Sequence, residues 1–156
     1  MNELILTIDL YGQSDVYLSF YHKEFSDENH ELPENFEGSF NGDGVSISQD
    51  GLHWYRIQEF TDDYIQSEYK KFVIQLDRML ETAQMVYTND FKIKFQQYDN
   101  YGIRSDGFTL DDICLYKGNL ETPEIIIISP NGGEYFEQGT TQNIRWQCLG
   151  NTGNAF

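Results

Sequence analysis

Carboxylates are the groups in this chain most able to do chemistry. Ten Lys and Arg face 26 Asp and Glu, for a net charge of −16. Between Glu24 and Asp43 stand Glu24, Asp27, Glu28, Glu31, Glu34, Glu37 and Asp43, with no Lys or Arg among them. Clustered carboxylates repel one another, and a hard cation such as Ca²⁺ relieves that repulsion when roughly six to eight oxygens converge from different segments. The residues that could supply them are Glu24 and Asp27 after the second predicted strand, Asp43 at the entry to a hairpin, and Asp112 or Asp111 in a late strand. If Asp112 shares a buried face with Phe108 and Leu110, it needs a partner, which Lys23, Arg104 or a metal could supply. The competing readings are a hydrogen-bonded structural Asp112 without metal, and acidity that serves only solubility.

Other side chains suggest weaker chemistry. His22, His30 and His53 match no zinc-ligand spacing and read as surface or loop residues. Tyr21, Tyr98 and Tyr101, with Tyr17 and Tyr64, have the amphipathic character needed to stack on a sugar ring or anchor an interface. No Ser-His-Asp or Cys-His order stands out, no glycine loop carries the charge to cradle phosphate, and no pair of carboxylates marks itself as acid and base. The expectation is a chain that is not an enzyme. Its acidity argues against nucleic acid and against an anionic membrane surface as partners.

Short aromatic-rich runs separated by turns must position these groups, and they predict an all-β chain. Leu4, Leu6, Ile8 and Leu10 alternate onto one face, as do Val16, Leu18 and Phe20. An irregular stretch follows from Ser26 to Asn41. Val45–Ser48 and Trp54–Phe60 flank Asp50-Gly51, a hairpin turn in which Asp50 bonds the turn backbone and Trp54 packs beneath it. Phe72–Leu76 is a strand and Asp77–Met85 the one predicted helix. Phe91–Tyr98 alternates, with Phe91, Ile93 and Phe95 inward and Lys92, Lys94 and Gln96 outward. Phe108–Tyr116 is a further strand. Met1 leads directly into a strand-like run with no basic leader, so a secretion signal would lie upstream. Cys114 and Cys148 have no metal-ligand spacing.

Several of these runs resemble the MAM-like, concanavalin-type jelly rolls of bacterial surface proteins, the group that includes cleaved-adhesin and choice-of-anchor modules. The matching segments are Val16-Tyr-Leu-Ser-Phe-Tyr-His-Lys23, Asp43-Gly-Val-Ser-Ile-Ser-Gln-Asp-Gly-Leu-His-Trp54, Phe91-Lys-Ile-Lys-Phe-Gln-Gln-Tyr98 and Ser105-Asp-Gly-Phe-Thr-Leu-Asp-Asp-Ile113. The tail Ile128-Ser-Pro-Asn-Gly-Gly-Glu134 is similar to the opening of an Ig/fibronectin-like module. The resemblance implies an antiparallel β-sandwich over 1–119, N-terminally truncated relative to that group, a linker at 120–123, and the first strands of an Ig-like module over 124–156. It also implies a non-catalytic adhesion or carbohydrate-binding module of a larger secreted or cell-surface protein, stabilised by Ca²⁺, with a glycan, a surface protein and neighbouring domains of its parent chain as partners. The alternatives are a structural spacer beside a secreted peptidase or glycoside hydrolase, and a small hydrolase.

Overall fold

A computed structural model describes residues 1–25, 28–60, 68–100 and 107–118, together with the backbone of two later strands. The chain runs β1 (Asn2–Ile8), β2 (Val16–Phe25), β3 (Asn35–Glu37), β4 (Gly44–Ser48), β5 (His53–Glu59), β6 (Lys70–Gln75), α1 (Leu76–Ala83), β7 (Phe91–Gln97) and β8 (Gly107–Lys117). β9 (Glu124–Ser129) and β10 (Arg145–Leu149) pair with each other as a separate two-stranded sheet. All pairings are antiparallel. A five-stranded sheet in the order β1-β7-β4-β5-β3 packs on a three-stranded sheet in the order β6-β2-β8. The expected all-β sandwich is therefore observed.

The core lies between the sheets and follows period-two alternation. Leu18 and Phe20 of β2 meet Val45 and Ile47 of β4, Phe72 and Ile74 of β6, and Phe91, Ile93 and Phe95 of β7. Phe20 stacks on Phe72 at 5.1 Å and meets Phe95 edge-on at 5.2 Å. The predicted helix closes one end of the sandwich with Leu76 and Leu80. Asp77 on its first turn accepts hydrogen bonds from the backbone N–H of Asp15 and Val16 and from the Tyr87 hydroxyl.

The hairpin forms as expected. Asp50 accepts from the N–H groups of Leu52 and His53, and Gly51 takes φ +77°. Trp54, however, does not lie beneath that turn alone. It belongs to a second small core with Leu32 and Phe36 on the outer face of the larger sheet. That core exists because the stretch after β2 is not wholly irregular. It contains β3, which pairs Phe36 with Trp54 and lays the loop across the sheet.

This cover corrects the expectation that Lys94 and Gln96 face solvent. They do leave the outer side of β7, but Lys94 is 1 % exposed and Gln96 0 %. Gln96 donates to the carbonyls of Phe40 and Gly42, each at 2.8 Å. The Lys94 ammonium sits 4.1 Å from the Trp54 ring centre and 4.9 Å from that of Phe36, and it bonds Glu3 and the Gly38 carbonyl. Burial lowers its pKa, and Glu3 opposes that shift.

In β1, Leu4 shares its face with Leu6 and Ile8, which pack against the core, but is itself 45 % exposed. β1 is the edge of the wider sheet, and the narrower sheet has only three strands to set against five.

Trp54→Ala should cost about 3–5 kcal/mol, because it leaves a cavity and strips the ring from a buried ammonium. Urea unfolding at neutral pH measures it. A cost under about 1 kcal/mol would mean that the outer core contributes little to folding.

Candidate functional site

The acidic residues converge in part. The inward register of β2 continues past Phe20 to His22 and then Glu24, which is 7 % exposed. Asp43, just before β4, is 2 % exposed. Glu24, Glu28, Asn29 and Asp43 line one enclosed cavity of about 10 Å³, walled by Phe60 and Phe108. That is room for a single ion or water.

Asp43 is held from four sides. Its N–H donates to the His30 carbonyl at 2.9 Å, and its own carbonyl accepts from Phe60 N–H at 3.2 Å. Its carboxylate accepts from Tyr98 N–H at 2.7 Å and from His30 N–H at 2.9 Å. Glu28 Oε2 is buried there with no hydrogen-bond partner. An orphaned carboxylate oxygen beside two buried carboxylates is chemistry that a hard cation would satisfy. Even so, no three His, Cys, Asp or Glu side chains among the described residues converge on one point as a ready metal site.

The remaining expected ligands do not join this cavity. Asp27 lies outside the described residues. Asp112 is exposed on β8, so the inward reading of it is corrected. Its neighbours explain why. Tyr21 pairs with Asp111 and Ser19 with Cys114, so Asp112 and Ile113 together oppose Phe20 alone. This bulge places Asp112 at φ +48° and turns out a side chain that strict alternation would have buried. Glu24 pairs with Phe108, four residues along the strand, or about 13 Å from Asp112.

The histidines are dispersed. His53 bonds Asp50 at the hairpin, which raises its pKa. His30 packs edge-on to Tyr98 at 4.8 Å, so Tyr98 supports the carboxylate cavity instead of offering a free ring. His22 stacks on Phe60 at 3.9 Å, and its Nε2 is buried with no partner. Burial, helped by the charge of Lys70, lowers its pKa to about 4. Tyr101, like Tyr64, lies outside the described residues.

A second surface is set by the strands of the smaller sheet. The residues of β2 that alternate with the core put Tyr17, Tyr21, Lys23 and Phe25 on its outer face. Their register neighbours on β6 add Lys71, Val73 and Gln75, and those on β8 add Thr109, Asp111 and Tyr116. Tyr17 stacks on Tyr116 at 5.6 Å with planes 7° apart. Lys71 stands 5.7 Å from the Tyr21 ring centre, and Lys23 stands 4.8 Å from that of Phe25 and 5.8 Å from that of Tyr69. Val73 is 54 % exposed, Tyr69 46 % and Phe25 41 %. Tyr17 and Tyr21 were named from the sequence but Tyr69, Lys71 and Val73 were not, although their alternation around Phe72 was available as a signal.

No family model matches the chain, and neither the curated proteins nor the solved structures yield a match.

His22→Phe should flatten the acid limb of stability. In the fold His22 stays neutral to about pH 4, whereas the unfolded side chain takes up a proton near pH 6.5. Between those values the unfolded state binds more protons, so stability falls as pH falls. The wild type should lose on the order of 2 kcal/mol more than His22→Phe between pH 7 and pH 4. Parallel urea titrations check this, and identical slopes would place His22 in a solvated setting.

Proposed function

We propose that this chain is a non-catalytic binding module, of the adhesion or carbohydrate-binding kind, from a secreted or cell-surface protein, and that Ca²⁺ stabilises it. The observation that carries the reading is the inequality of the two outer faces. The larger sheet is covered by the 28–42 loop through Leu32 and Phe36. The smaller sheet presents Tyr17 and Tyr21, half-buried, and Phe25 and Tyr69, exposed, with Lys23 and Lys71 against their rings. From Tyr17 to Phe25 is eight residues, so these rings span about 27 Å. Flat aromatic side chains at that spacing suit a ligand that is itself extended, such as a glycan chain, and Tyr hydroxyls and Lys ammoniums supply the polar contacts that orient it.

In this reading Ca²⁺ is structural. Glu24, Glu28 and Asp43 would hold it, with carbonyl, amide or water oxygens completing the shell. The ion would neutralise part of the charge that the loop brings together at that cavity. It would tie the end of β2 to the entry of β4, on the side of the smaller sheet opposite the aromatic face.

Two measurements test the proposal. If the site binds Ca²⁺ with a dissociation constant near 0.1 mM, about 10 mM CaCl₂ should stabilise the chain by about 2.7 kcal/mol. Asp43→Asn should abolish that increment. An equal response to MgCl₂, or none to either salt, would rule the site out. Polysaccharide pull-down and glycan-array binding should detect a ligand, and Tyr21→Ala with Tyr69→Ala should weaken it by about tenfold or more. Turnover of a glycoside that disappears in a single Asp or Glu variant would instead make the chain a hydrolase.

A further inference from the structure

We infer that the ligand of this face is an acidic glycan, a chain whose sugars carry carboxylates, and that Arg78 is its anionic anchor. The inference rests on the binding-module reading above and adds the substrate class to it.

The argument begins with where positive charge is left unopposed. In a chain of net charge −16, most cations ought to be paired with carboxylates. Arg56 pairs with Glu59, Lys92 with Asp90 and Lys94 with Glu3. Lys23, Lys71 and Arg78 have no carboxylate at ion-pair distance among the described residues. Lys23 and Lys71 lie over aromatic rings of the smaller sheet's outer face. Arg78, exposed on the first turn of α1, stands where that face ends.

There the surface is concave. A groove of about 450 Å³ is lined by Tyr17, Ile57, Val73, Gln75, Arg78 and Met79. Three of these, Tyr17, Val73 and Gln75, also belong to the outer face, so groove and face are continuous. The volume suits one or two sugar rings. Tyr17 is held in place by its stack on Tyr116, so its orientation is set before a ligand arrives. A sugar ring against Tyr17 would lie within reach of the Arg78 guanidinium, whose planar fork matches a carboxylate through two parallel hydrogen bonds. The chain would then continue over Val73 toward Lys71 and Lys23.

Opposing charges also border this surface. Asp111 and Asp112 lie on β8, and Glu68 precedes β6. Asp111 and Asp112 stand across β2 from β6, which favours the β6–α1 side for an anionic chain, and Glu68 stands at the end of β6 away from Arg78. Asp77 precedes Arg78 on α1 but is taken up by the N–H groups of Asp15 and Val16 and the Tyr87 hydroxyl, and Glu81 stands one turn further on.

The test uses the whole chain, calorimetric titration, and short oligogalacturonates as the probe. Their methyl esters, with the same backbone and blocked carboxylates, serve as the control. Oligogalacturonate should bind, and esterification should weaken binding by about tenfold or more. Arg78→Gln should have a similar effect and Lys71→Gln a smaller one. Arg78→Lys should recover only part of the loss, because an ammonium cannot make the paired contact. Both positions are exposed, and circular dichroism should show both variants folded. Equal affinity for acid and ester, or full affinity in Arg78→Gln, overturns the acidic-glycan inference and leaves a neutral-glycan module standing. Binding to no glycan on an array of acidic and neutral chains overturns the inference and the binding-module reading together.

Discussion

Asp43 is the joint on which the outer half of this molecule depends. Its backbone and carboxylate together bind the loop after β2, the end of β5 and the end of β7. A carboxylate that accepts backbone N–H bonds in a buried setting is strongly favoured over any unpaired alternative, since each abandoned donor costs about 1–3 kcal/mol. The bond between His30 and Asp43 fixes where the acidic loop starts its crossing of the larger sheet. Gln96 fixes where it finishes, through the carbonyls of Phe40 and Gly42. Between those two points Leu32 and Phe36 can reach Trp54, and Lys94 can be sealed beneath them.

One consequence is a division of labour between the faces. A loop pinned over the larger sheet spends that sheet's outer surface on stability. On the smaller sheet's outer surface Ser19 and Tyr116 are buried, and aromatic and cationic side chains collect around them, Phe25, Tyr69 and Lys71 exposed. The same strand, β2, serves both ends of this arrangement. Its inward side chains pass from the apolar core through His22 to the carboxylate cavity at Glu24, while its outward ones build the aromatic row.

Much of this was legible beforehand. Period-two alternation placed β2 and β7 with the correct core faces, and Asp50-Gly51 between two short apolar runs marked the β4–β5 hairpin. Of the four expected ligands Glu24, Asp27, Asp43 and Asp112, Glu24 and Asp43 line one cavity, Asp112 does not, and Asp27 lies outside the described residues. The misreadings share one cause. Alternation tells which side of a sheet a residue takes, but not what covers that side. Lys94 and Gln96 were assigned the correct side and the wrong solvent exposure, because a three-residue strand around Phe36 carries too little pattern to announce itself. Asp112 failed because one extra residue in β8 reverses the phase, and no local composition marks a bulge held in place by its partner strand.

That extra residue also shapes how the molecule behaves in company. β8 is the border of the smaller sheet, where unsatisfied backbone groups could recruit a neighbour's strand and begin an aggregate. The bulge breaks the flat ladder in the middle of that border and increases its twist, and two adjacent carboxylates sit at the break. A second copy approaching edge to edge would meet a curved rim and like charge. An edge broken in this way is a poorer template for strand addition than a flat one.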